Sequence, residues 1–150
     1  MPTTKRTHEM VAIHIRCRGL HNGPQFATPG PRPRLDICAA YYLVTEGGPV
    51  PPEFYTDETA AIRLIECSAP TMRALRELSA ALDTEPPVTT IAPGVDVPDY
   101  IEHVSHWAAT PALGDTRPPT ESEVIGRILR VAKTRPSALA LIPHQRPAAA

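Results

Sequence analysis

Long apolar runs and a dominant sign of charge are both missing from this chain. Its 150 residues contain nothing close to the ~20 consecutive apolar residues that span a bilayer. Helical membrane spans are therefore not expected. The basic start, Met1 to Arg6, leads into no apolar run, so no leader peptide is expected either. A formal net charge of −1 excludes a global field that would draw the protein to nucleic acid or anionic lipid. The three cysteines, Cys17, Cys38 and Cys67, are odd in number and widely spaced, which excludes a disulfide framework. Each lies in an apolar segment and is expected as a reduced, buried thiol. Gly-rich phosphate loops, Ser-centred nucleophile elbows and dinucleotide fingerprints are absent too. Aromatics are scarce, at 5%. The expectation is a soluble, cytoplasmic protein without a cofactor.

Proline, by contrast, is abundant, with 19 residues in the chain. Because proline breaks helix interiors and strand ladders, much of the chain must be loop. What remains between the prolines has helical period. A chain of this length buries roughly 68–70% of its unfolded surface, enough for one core without metal or disulfide support. The most apolar stretch runs from Leu35 to Val44, with Asp36 as its only charge. A helix apolar on all sides belongs in the middle of a bundle. The fold class that follows is all-α. It is a single domain, residues 1–134, of five or six helices around a central helix at 35–45, with Pro-rich loops. Residues 135–150 are expected to form a disordered tail, in which only Ala138–Ile142 is apolar enough to dock.

The remaining segments follow from stripes and caps. Thr7 to Gly19 carries strand alternation and also a helical stripe, Met10, Ile13, Cys17 and Leu20. Helix is preferred, because no second strand stands ready to pair with this one. His21 to Arg34 reads as loop. Asp36 falls in the first turn of the central helix, facing its positive dipole end. Thr56 reads as the N-cap of a helix ending at Cys67, with Ala61, Ile62 and Ile65 inward. Ser68 caps the next, whose stripe is Met72, Leu75, Leu78 and Leu82. Asp83 to Val97 is an irregular crossover in which Val88–Ile91 is the one candidate for a short edge strand. Pro98 reads as the first residue of a further helix, with Val97, Ile101, Val104 and Ala108 as its core stripe. Thr120 to Glu123 has capping-box spacing before Val124, Ile125, Ile128, Leu129, Val131 and Ala132. Gly126, which costs about 1 kcal/mol against Ala inside a helix, is read as a place where another backbone comes close.

The blocks RLDICAAYYL, FYTDETAAIRLIE, SAPTMRALRELSAALD, PDYIEHVSHWAAT and PPTESEVIGRILRVA resemble a group of short actinobacterial proteins of unknown function, over about Gly19 to Ala132. Broader relatives of that group follow the tryptophan with Asn, whereas Trp107 here is followed by Ala108. The resemblance implies a small intracellular helical protein and carries no reaction or ligand.

The richest polar cluster is Asp99, Glu102, His103 and His106, in which Asp99–His103 and Glu102–His106 have i, i+4 spacing. A carboxylate beside a histidine can hold a metal or act as a general base. The Glu-x-x-His pattern of dimetal sites is missing, however. Asp99, Glu102 and His106 also lie opposite the apolar stripe, where solvated ion pairs belong. His14, Cys17, His21 and Cys38 offer zinc ligands without the close Cys–Cys or His–His pair of zinc sites. Cys38 is no better as a nucleophile, since a buried thiol without a nearby cation is inert. Residues 57–82 have the length of a helix-turn-helix, with Arg73 and Arg76 outward as nucleic-acid candidates. Against that reading stand a turn without glycine, no basic excess, and Glu77 on the same exposed face. The expected function is a non-enzymatic module that binds a protein partner or self-associates. DNA binding by 57–82 and metal or hydrolytic chemistry at Asp99, Glu102, His103 and His106 are the alternatives. No membrane partner is expected.

Overall fold

From Ile37 to Thr45 the chain carries no charge, and the fold buries the first half of that run completely. The computed structural model describes residues 3–134. In it α2 (Ile37–Glu46) has Ile37, Cys38, Ala39, Ala40 and Tyr41 all buried. The helix starts later than expected because Asp36 is its N-cap, not a first-turn residue. The Asp36 carboxylate accepts the Cys38 amide at 2.7 Å. Tyr42, Leu43 and Val44 are only half-buried, so cover on all sides holds for the first half of the rod.

Four helices pack on α2: α1 (Thr4–Arg18), α4 (Glu58–Glu66), α5 (Ala69–Ala80) and α6 (Tyr100–Ala109). A fifth, α7 (Glu121–Thr134), lies along α1. The short α3 (Glu53–Thr56) brings the count among the described residues to seven, not five or six. One antiparallel pair, β1 (Val88–Ala92) and β2 (Val95–Pro98), departs from an all-α reading. The protein is thus mostly helical with one small sheet. No helix among the described residues is long and apolar enough to cross a membrane. The expected tail, with Ala138–Ile142, lies outside the described residues.

α1 is a helix, as preferred, but it buries a different face. Thr4, Thr7, His8, Val11, Ala12 and Ile15 point inward. Met10 and Ile13 are 39% and 57% exposed, and Cys17 is exposed as well. Cys67 is also exposed, so only Cys38 is the buried thiol expected of all three. Polar residues enter the buried face of α1 because they find partners there. His8 is fully buried, with Nδ1 2.7 Å from the Tyr41 hydroxyl and Nε2 3.0 Å from Glu77 Oε2. Glu77 is therefore half-buried and tied to the core, not free on an exposed face.

Local chemistry sets the other boundaries. Asp57, one residue after the expected Thr56, caps α4 by accepting the Ala60 amide at 3.0 Å. The Thr56 hydroxyl instead donates back to the Pro52 carbonyl and closes α3. That short helix delivers Phe54 into the core, where it packs edge-on to Tyr42 at 5.3 Å. Ser68 and Thr120 cap α5 and α7 as expected. Glu121 accepts the Leu20 amide at 2.9 Å, and Arg127 donates to the Ala81 carbonyl at 3.1 Å. These two contacts anchor α7 to the ends of α1 and α5. Pro98 ends β2 and does not open α6; the N-cap of α6 is Asp99. Between the strands Pro93-Gly94 makes the turn, with Gly94 at φ 74, a conformation only glycine adopts without strain.

Gly126 does not mark a close approach: a Cβ built there meets nothing within 4 Å. Gly126→Ala is therefore expected to raise stability by up to about 1 kcal/mol in urea unfolding. Tyr41→Phe keeps the ring but removes the hydroxyl from buried His8. It should lower stability by about 1–3 kcal/mol in the same assay.

Candidate functional site

Of the four polar residues at the start of α6, Glu102, His103 and His106 border one cleft, and Asp99 stands apart as the helix N-cap. Asp99 serves the helix start, its Oδ1 accepting the Glu102 amide at 2.9 Å and its Oδ2 the Thr89 hydroxyl at 3.2 Å. His103 turns inward, with Nδ1 2.6 Å from Ser79 Oγ and Nε2 2.7 Å from Thr84 Oγ1. Burial, aided by the charge of His106 and opposed by Glu85, holds its pKa below the usual histidine value. The Asp99–His103 pair suggested by spacing does not form, because an N-cap stands half outside the helix and bonds its own amides. With hydroxyls on both ring nitrogens, His103 presents no free lone pair to a metal.

Glu102 and His106 stay exposed and border two clefts. One, of about 370 Å³, is completed by Thr84, Glu85, Pro87 and His103. The other, of about 220 Å³, is bordered by Asp36, Ser105, Glu58 and Gln25 among others. Among the described residues no group of three or more His, Cys, Asp or Glu is placed to hold a metal ion. The zinc quartet shows why. His14 is half-buried, its pKa lowered first by burial and then by Arg18. Cys17 faces solvent, and His21 Nε2 donates to the Pro24 carbonyl at 2.8 Å. Cys38 lies in the core with Sγ 3.3 Å from Ser105 Oγ and 3.6 Å from the Ile101 carbonyl.

Asp36, read from sequence as a first-turn charge, is the most telling carboxyl in the molecule. The Ser105 hydroxyl donates to both of its oxygens, at 3.3 and 3.2 Å, while the Cys38 amide holds Oδ1. Burial pushes its pKa up to about 6, against the opposing pull of the Cys38 and Ser105 hydrogen bonds. The neighbouring Cys38 thiol is pushed well above its usual value by burial and by Asp36, so it remains protonated. This is a carboxyl able to exchange a proton near neutrality, beside a thiol that cannot attack. No local signal marks the contact between Asp36 and Ser105, because they are 69 residues apart.

Arg73 and Arg76 are exposed on α5, as expected. Only Cys67 and Ser68 join α4 to α5, a shorter turn than the 3–4 residues of a helix-turn-helix. The candidate edge strand Val88–Ile91 is present as β1, but sequence reasoning missed its partner β2 and hence the hairpin, which holds three of the exposed large apolar side chains: Val88 at 65%, Ile91 at 65% and Val95 at 45%. The available signal was Pro-Gly between two β-branched runs.

A raised carboxyl pKa means that the folded state favours the protonated acid. The resulting penalty is absent below about pH 4, grows as pH rises towards 6, and persists above that. Asn caps helices as well as Asp does. Asp36→Asn should therefore gain stability relative to the parent protein across that window, by about 2 kcal/mol in urea unfolding at several pH values. A pH-independent difference would contradict this.

Compared with protein-family models, curated proteins and solved structures, the chain matches none.

Proposed function

We propose that the protein is a non-enzymatic interaction module that docks a partner protein through the β1–β2 hairpin. The observation that carries this reading is the exposure of Val88, Ile91 and Val95 on a two-stranded sheet that packs mainly on itself. Two strands alone are marginally stable in water. Uncovered apolar surface forgoes about 25 cal/mol per Å² of burial, and unpaired strand edges invite a further strand. A partner strand laid along the hairpin relieves all three conditions. Hydrolytic chemistry is not favoured, since His103 has both nitrogens engaged and the Cys38 thiol stays protonated.

The test compares the full chain with an Ile91→Lys/Val95→Lys variant whose circular dichroism and melting are unchanged. Extract of the source organism is passed over each immobilised protein, and the captured proteins are identified. Any protein retained by the first and lost by the second is then purified and titrated calorimetrically. The expected result is a stoichiometric complex weakened roughly tenfold or more by the variant. Identical capture and affinity for both would overturn the reading.

A further inference from the structure

Charge is spread unevenly along this nearly neutral chain, and the unevenness surrounds the hairpin. Residues 77–116 contain seven carboxylates (Glu77, Asp83, Glu85, Asp96, Asp99, Glu102 and Asp115) and no Lys or Arg, although the whole chain carries only −1. Glu77 is tied to His8, and Asp83 lies 3.6 Å from Arg127. The four nearest the strands are Glu85, Asp96, Asp99 and Glu102. None of them makes an ion pair with Lys or Arg among the described residues.

We propose that the segment adding to the hairpin is an extended cationic one, carrying Lys or Arg, that pairs along the open edge of β1. This deepens the docking reading above and rests on it. The two edges are not equivalent. β2 is short, carries Asp96 and ends in Pro98, features that blunt an edge; β1 reads Val-Thr-Thr-Ile-Ala, without charge or proline. Pro87, immediately before β1, lines the cleft of about 370 Å³ whose border includes the Glu85 and Glu102 carboxylates. A basic side chain from a strand lying on β1 reaches that cleft and finds acceptors on two sides. A second copy of this chain is a poor occupant, because pairing two hairpins brings two sets of these carboxylates together. Nucleic acid and anionic lipid are repelled by the same field.

The experiment uses the full chain and two labelled probes, a short peptide of alternating Lys and Val and its Glu-for-Lys counterpart, followed by fluorescence anisotropy. The expected result is at least about tenfold tighter binding of the cationic peptide, with the preference shrinking as salt is raised. A Glu85→Lys/Glu102→Lys variant with unchanged circular dichroism should reverse the preference. Alternate backbone N-methylation of the cationic peptide, placed in one of its two registers, should abolish binding, since strand addition needs those amides. Equal binding of both peptides, or binding of neither at millimolar concentration, overturns the proposal. Should a captured partner still depend on Ile91 and Val95 in that event, the charge inference falls and the docking reading stands. If no partner depends on them, both fall.

Discussion

Starting a helix inside an apolar core leaves its first amides without water, and α2 starts there. Asp36 answers this with its side chain on the Cys38 amide, while its carbonyl accepts the Ala40 amide as the first bond of the helix ladder. That places a carboxyl where it is itself poorly hydrated, so Ser105 of α6 must turn its hydroxyl towards it. The backbone of Asp36 is held in turn: its amide donates to the Phe26 carbonyl, and the Phe26 amide donates to the Phe54 carbonyl of α3. The Pro-rich loop between α1 and α2 is thereby pinned to the core, into which it sends Phe26, Ala27 and Leu35. One buried helix start thus sets the course of three other segments.

The far end of the buried half of α2 has a comparable fixture. Tyr41 reaches His8 on α1, and His8 reaches Glu77 on α5. Apolar burial is non-directional and by itself would let these helices slide or rotate. Two polar contacts at Asp36 and Tyr41, one at each end of the buried stretch, select one register because each misalignment strands a buried polar group. Here the aliphatic residues supply the bulk of the stabilisation, and the polar ones supply the uniqueness.

That division explains what was legible in the sequence. Ser68, Thr120 and the Leu75–Leu78–Leu82 stripe were readable because caps and stripes are local, set by spacing along one helix. The face of α1 was misread because its inward side carries Thr4, Thr7 and His8, residues that count as polar until Tyr41 and Glu77 are known to meet one of them. Thr56 and Asp57 are both good caps, and spacing alone could not choose between them. At α6 the candidate residues were correctly placed on one short segment, yet Asp99 and His103 went to partners on β1, α5 and the chain leading into the hairpin. Those partners lie 10 to 24 residues away in sequence and follow no helical period.

The hairpin is largely exposed, yet it is not loosely attached. On the incoming side, Thr84 Oγ1 meets His103 Nε2. On the outgoing side, the Asp99 amide donates to the Pro87 carbonyl, and one Asp99 carboxylate caps α6 while accepting from Thr89 of β1. A single residue therefore couples the direction of the strands to the direction of α6, and α6 is locked to the core through Ser105 and Asp36. An exposed element with both feet pinned has less freedom left to lose than a free loop, which favours the docking proposed above. The same argument accounts for the placing of Asp99 and His103. Their polar groups hold the strands against α6 and so orient the exposed hairpin on the helical body.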